Sequence, residues 1–292
     1  RAFGSAIGGF IGTPLEFLFL QGMMDPELAV FTVPALVFAG FQAAFAIIAG
    51  ALISGAVADR MKFSAWAVFA AVWALLVYFP AAHWVFSFDG GTAENGGFIA
   101  NDIAALDFAG GTAIHINAGA AALALAIVIG PRMGFGRTPM RPHNLTLVML
   151  GAGLLWFGWF GFNAGSALGA NAMAGVAWIN TLAAACAAML GWLLVERLRD
   201  GHATSLGAAS GIVAGLVGVT PAAASVSPLG ALIIGVLAGV ACAYAIGLKS
   251  KFGYDDSLDV VGVHLVGGLV GTLAIGFLAD PNSPAGVAGL FY

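Results

Sequence analysis

Two histidines stand alone as ionisable groups deep inside long apolar runs. His115 follows Asp107 by eight residues, and His264 follows Asp259 by five. An imidazole offers a donor and an acceptor near neutral pH. An ionisable side chain inside a membrane-length run marks a candidate functional site. Each run begins behind an aspartate able to cap its first turn. In the topology derived below the two runs are antiparallel and start from opposite sides, as in an inverted repeat with a site near the midplane. Two imidazoles at matched depth become each other's partner. The alternative is that each bonds a nearby carbonyl and only holds helices together. Haem ligation by a histidine pair is a further alternative, disfavoured because haem membrane proteins usually carry several such pairs. No Ser/His/Asp order, paired intramembrane carboxylates or Cys/His cluster appears. No enzyme, metal site or cofactor is therefore expected. Cys186 and Cys242 lie in apolar runs and offer neither a disulfide framework nor metal-ligand spacing.

Aromatic residues gather at two places. Phe41, Gln42 and Phe45 mix rings with an amide; Trp156, Phe157, Trp159, Phe160, Phe162 and Asn163 are followed by Ser166. Such a cluster reads either as an interfacial belt or as a cation-attracting vestibule. Ring faces attract small cations, and a hydroxyl accepts from an ammonium N–H.

The elements that position these groups are membrane helices. Of 292 residues 61% are hydrophobic and 8% charged, with 43 glycines and a net charge of −4. A soluble surface needs about 25% charged residues, and no basic tract suggests nucleic acid. Charge-free runs of about 20 residues each satisfy one crossing. They predict eight spans near 29–57, 63–86, 107–130, 144–166, 172–195, 204–222, 228–248 and 259–279. Spans must be helical, because lipid satisfies no backbone hydrogen bonds. Arg60, Lys62, Arg132, Arg137, Arg141, Arg197, Arg199, Lys249 and Lys251 fall in alternate loops, and the other loops hold no Lys or Arg. The basic loops are expected in the cytoplasm of a multi-pass cell-membrane protein. The acidic 87–106 loop is expected outside. Residues 1–27 read as an outer loop, with a re-entrant segment as the alternative, ahead of spans over 28–280. Gly211, Gly215, Gly218, Gly230, Gly235 and Gly239 predict closely packed helices. The fold class is thus an all-α polytopic membrane bundle with inverted-repeat architecture, one domain over 1–292.

The run Asp107-Phe-Ala-Gly-Gly-Thr-Ala-Ile-His115-Ile-Asn117 strongly resembles the signature of the ammonium transporter (Amt/Mep/Rh) family. So do Gly158-Trp-Phe-Gly-Phe-Asn-Ala-Gly-Ser166, Gly262-Val-His264 behind Asp259, and Phe41-Gln-x-x-Phe45. Pro142-His-Asn144 and Gly215-Leu-Val-Gly-Val-Thr-Pro221 add to the match, which runs in family order along nearly the whole chain.

The resemblance implies a homotrimer with one pore per subunit, carrying ammonium or ammonia. It implies cation recruitment at Phe45, Phe86, Trp159 and Ser166, a gate of Phe45 and Phe162, and a hydrogen-bonded pair of pore histidines, His115 and His264. Asp107 matches the aspartate that organises the outer site; Asp259 is expected to play a structural part beside the other histidine. Phe86 stands where many bacterial members have tryptophan, and a register shift would put Trp84 there instead. The family has eleven spans, so the eight here match the third to tenth, as in a fragment lacking the first two and the last. The Phe45/Phe162 gate and the Trp159-Phe-Gly-Phe162 run look more like the Amt branch than a Rh-type gas channel. An ammonium sensor with a further signalling domain is the other alternative. PII-type proteins often plug the cytoplasmic face in this family, and the loops from Arg132 to Arg141 and from Lys249 to Asp256 offer a docking face.

Overall fold

The computed structural model describes residues 2–292. Among them, eight helices are long and apolar enough to cross a membrane. They are α1 (Ala35–Ser54), α2 (Phe63–Phe86), α3 (Gly111–Ile129), α4 (Leu145–Gly165), α5 (Ala172–Arg199), α6 (Ser205–Ala222), α7 (Pro228–Phe252) and α8 (Val261–Leu278). Seven begin and end within about four residues of the expected bounds. The first span is corrected at its start: it begins at Ala35, not near residue 29. Ala29–Val30 pairs antiparallel with Val33–Pro34. Phe31 turns the chain with φ of +53°, and Pro34, which lacks an N–H, precedes the first helical residue.

The chain forms two compact units. One comprises residues 2–51 with Lys62–Leu106, the other Leu52–Met61 with Asp107–Tyr292. In the first, Ala6–Ile7 pairs antiparallel with Ile11–Gly12 within the expected outer loop. His83 Nδ1 lies 2.8 Å from the Ala2 carbonyl oxygen.

The second unit owes its order to local signals legible in the residues. Helices α4, α5, α6 and α7 each start behind a side-chain cap. The caps are Asn144 to Leu147 N (3.1 Å), Asn171 to Ala174 N (3.0 Å), Thr204 to Gly207 N (2.8 Å) and Ser227 to Gly230 N (3.3 Å). A cap of this kind contributes about 1 kcal/mol. Helix α5 continues past the expected residue 195 because Glu196 finds partners there: its carboxylate accepts from Thr204 N at 2.8 Å and from the Trp192 indole at 3.3 Å.

The glycines do what their spacing predicts. Gly235 and Gly239 of α7 lie against Ala184 and Ala188 of α5, where an added Cβ would stand 2.8 Å from each alanine Cα.

Three of the basic-side loops converge on Asp255, which is fully buried. Arg132 donates to Asp255 through its side chain (2.5 Å) and its backbone N–H (2.7 Å). Arg60 lies 3.5 Å from Asp255 Oδ2, the oxygen that the Arg132 backbone N–H also reaches, and donates to Ser257 Oγ at 2.8 Å. These residues come from the α1–α2, α3–α4 and α7–α8 connections, which the charge pattern put on one side.

Candidate functional site

The second unit brings His115 and His264 together. Their Nδ1 atoms are 3.2 Å apart, with ring centroids at 5.3 Å and planes inclined by 24°. His115 is fully buried and His264 is 6% exposed. A hydrogen bond between two Nδ1 atoms needs one donor and one acceptor, so the rings share one proton between them. Their Nε2 atoms then differ: the ring that donates keeps an Nε2 acceptor, and the other has an Nε2–H. His115 Nε2 is buried without a hydrogen-bond partner among the described residues.

Each histidine sits in a wide, π-helical first turn: Gly111–Ile116 for His115 and Val261–Leu265 for His264. Wide turns inside helices recur at functional sites, where they re-aim side chains. Each π turn packs against the helix that continues the other. Gly119 and Gly268, each four residues beyond its histidine, make the crossing possible. A Cβ on Gly119 would stand 2.5 Å from Leu265 N, and one on Gly268 2.9 Å from the Gly111 carbonyl.

Asp107 caps the first π turn more completely than one acceptor usually does. Oδ1 accepts from Gly110 N (2.9 Å) and Gly111 N (2.6 Å). Oδ2 accepts from Thr112 N (2.8 Å), Ala113 N (3.2 Å) and the Thr112 hydroxyl. These are the orphan donors of a helix start.

The second cap corrects the expectation. Asp256, not Asp259, accepts from the turn, at 2.7 Å from Val261 N. Asp256 precedes His264 by eight residues, as Asp107 precedes His115. The spacing Asp, His eight later, Gly four after that occurs at 107/115/119 and again at 256/264/268. This internal repeat was the signal that identifies Asp256. Asp259 instead pairs with Lys249 Nζ at 2.6 Å and holds a left-handed backbone, φ +62°, which aspartate tolerates better than most residues. Burial raises the Asp259 carboxyl, against the pull of Lys249. Burial pushes Asp256 up to about 6, while the bond from Val261 lowers it and neighbouring Asp259 raises it. Asp256 Oδ1 has no partner among the described residues.

Aromatic rings wall the pair. Trp159 stacks on His115 at 5.3 Å and 12°, and Phe162 lies 4.9 Å from Trp159 and 5.8 Å from His115. Ser166 ends α4 and donates its hydroxyl to the Phe162 carbonyl at 2.9 Å, so its oxygen remains an acceptor. A cavity of 750 Å³ reaches His264 from among the loops that carry Asp59, His143 and Asp259.

In the first unit, Phe45 and Phe86 are buried with centroids 6.1 Å apart, and Phe41 lies 4.6 Å from Phe45. Trp84 points elsewhere: its indole donates to the Phe10 carbonyl at 2.7 Å and its ring meets Phe98 at 5.6 Å. Among the described residues no group of three or more His, Cys, Asp or Glu is arranged to hold a metal ion.

Residues 2–292 match the family model described as Ammonium Transporter Family. The chain is 61% identical to an ammonium transporter of Mycobacterium tuberculosis, over all of this chain and 65% of that protein. Its structure superposes on the crystal structure of Saccharomyces cerevisiae Mep2 with a TM-score of 0.88 at 35% identity, covering 99% of this chain and 64% of that one. A structure described as a sensor Amt protein aligns with a TM-score of 0.86 at 30% identity, over 96% and 68%. The chain thus spans about two thirds of the length of these relatives.

Proposed function

The chain belongs to the ammonium transporter family, whose members are multi-pass membrane transporters rather than enzymes, and from that premise we propose that it carries ammonium or ammonia across the membrane past His115 and His264. The observation that carries this reading is the Nδ1–Nδ1 pair with a buried, unpartnered Nε2 on His115. A bare cation in an apolar site is costly, whereas ammonia both donates and accepts. The pair meets it with an Nε2 acceptor on one ring and an Nε2 donor on the other. Aromatic faces hold the cation before it loses a proton: Phe45 and Phe86 in the first unit and Trp159 in the second, while Phe45 and Phe162 serve as gate residues. The Ser166 oxygen accepts from an ammonium N–H. Asp107 and Asp256 hold the two turns and do not touch the substrate.

Uptake of labelled methylammonium by cells producing the intact protein tests this reading. Uptake abolished by competing ammonium is expected; absence of competable uptake overturns transport. Methylammonium binding without uptake would favour a sensor, the second reading, which the likeness to the sensor Amt structure supports. In the same assay Phe86→Trp is expected to lower the apparent KM, because indole has the stronger cation-binding face. The Phe45–Phe86 contact supports position 86, rather than Trp84, as the recruitment position. An unchanged or raised KM removes Phe86 from recruitment.

Orientation follows from the basic loops. Cysteine placed at Asn95 is expected to react with an impermeant reagent from outside intact cells, and cysteine at Thr138 to stay protected. The reverse pattern overturns the orientation. The protein assembles as a homotrimer in this reading, measurable by light scattering in detergent. A PII-type regulator would meet the exposed Arg137, Arg141 and Lys251, since Arg60 and Arg132 are engaged by Asp255.

A further inference from the structure

A buried polar network ties the end of α6 to α4 and α5. The Trp159 indole N–H donates to Thr220 Oγ1 at 2.9 Å. The Thr220 hydroxyl lies 2.7 Å from the Leu216 carbonyl and 3.2 Å from Asn163 Oδ1. Asn163 Nδ2 donates to Thr181 Oγ1 at 2.9 Å, and that hydroxyl donates to the Ala177 carbonyl at 2.6 Å. Asn163, Thr181 and Thr220 are fully buried, and Trp159 is 1% exposed.

The directions of these bonds are fixed by elimination. Thr181 commits its one proton to the helix carbonyl, so it accepts from Asn163. The Asn163 amide therefore turns its oxygen toward Thr220. Thr220 already gives its proton to one of two oxygens, which leaves lone pairs for the indole. Valine is close to threonine in shape and offers no such acceptor.

The same turn also holds the other ring of the stack. Pro221, the next residue, accepts from Phe108 N at 3.0 Å. Its ring occupies the space a Cβ on Gly111 would need, at 2.5 Å, and Gly111 opens the π turn that carries His115. Thr220 and Pro221 are thus a clip between the indole and the imidazole stacked on it at 5.3 Å and 12°.

We propose that Thr220 is a positioning residue: through the Trp159 indole N–H it holds the flat wall that keeps the His115 ring aligned with His264. This rests on the transport reading above. The hydroxyl acts on substrate only through Trp159, whose face also meets the cation, so its loss lowers the maximal rate and raises the apparent KM together. Freed from the clip, the indole rotates away and the imidazole loses the face that fixes its plane. A buried indole N–H without an acceptor is unfavourable where it stands, which drives that rotation.

The test is a double-mutant cycle on ammonium-driven current in proteoliposomes reconstituted with the intact protein. Thr220→Val is expected to lower the maximal current about tenfold and to raise KM no further than Trp159→Phe does, and Thr220→Ser to retain at least about half of the current. Trp159→Phe keeps a ring but has no N–H, so adding Thr220→Val to it is expected to cause no further loss. Losses that multiply in the double variant, or wild-type current in Thr220→Val, overturn the proposal. Should Thr220→Val not fold, Thr220→Ala replaces it in the cycle. If neither folds while Thr220→Ser does, the hydroxyl serves the fold and the proposal is also overturned. Absence of ammonium-driven current in the wild-type protein would instead remove the transport reading itself, whatever Thr220 does.

Discussion

His115→Ala or His264→Ala is expected to reduce ammonium-driven current in proteoliposomes at least tenfold while the protein stays folded. The two rings share one proton across 3.2 Å, and removing either leaves the other Nδ1 facing an apolar cavity. A buried polar group that loses its partner costs about 1–3 kcal/mol, and the remaining ring turns to find another. Both halves of the donor–acceptor pair are then gone, although only one residue has changed. Passage of ammonia loses its polar contacts within the span. Discrimination against potassium is expected to change at the same time, because a smaller side chain at either position leaves room for a larger hydrated ion. Current at the wild-type level with unchanged discrimination, in both folded variants, removes the histidines from the transport path. Loss of folding in both would return them to the role of helix glue.

Much of this architecture is legible in the residues alone. The absence of charge over runs of crossing length marked all eight helices, and the alternation of Arg and Lys fixed which loops share a side. Asp255 gathers Arg60 and Arg132 from two loops that this alternation puts on one side. His115 and His264 are recognisable as partners because each lacks any other ionisable neighbour in its span. Where the reading failed, short-range detail had overruled composition. Ala29 to Pro34 is apolar enough for a span, but it folds as a hairpin turned at Phe31. Asp259 was the nearer acid to His264 and so looked like the cap. The wide turn shifts the accepting position further upstream, and the eight-residue spacing to Asp107 was the better guide. The Thr220 network was not legible at all. Its bonded side chains are 18 to 61 residues apart along the chain, and single buried hydroxyls and amides leave no periodic trace.

Asp107→Asn and Asp256→Asn are expected to have opposite effects, although the two residues occupy matching positions. Every rotamer of an asparagine amide at 107 aims its NH2 group at two backbone N–H donors, because each Asp107 oxygen accepts from two. Donor facing donor is repulsive, and the lost charge-assisted bonds add to it, for about 2–4 kcal/mol in all. The π turn that carries His115 should loosen, with transport lost and the thermal midpoint lowered by several degrees. At 256 only one oxygen is engaged, by Val261 N. An asparagine keeps that acceptor and turns its NH2 toward the side where Oδ1 has no partner. It also removes a charge that burial disfavours. The Asp256 carboxyl goes from 3.8 to about 6 in the folded protein, so folding holds its proton more tightly. Its contribution to stability is full below pH 4 and is lost as pH rises to about 6. Asp256→Asn should therefore leave stability at pH 4 nearly unchanged, raise it by about 1 kcal/mol or more at pH 7, and flatten the decline between them. Thermal denaturation in detergent from pH 4 to pH 7 reads both variants against wild type. Equal destabilisation by the two substitutions would mean that the caps are equivalent and that the unpaired Asp256 oxygen carries no consequence.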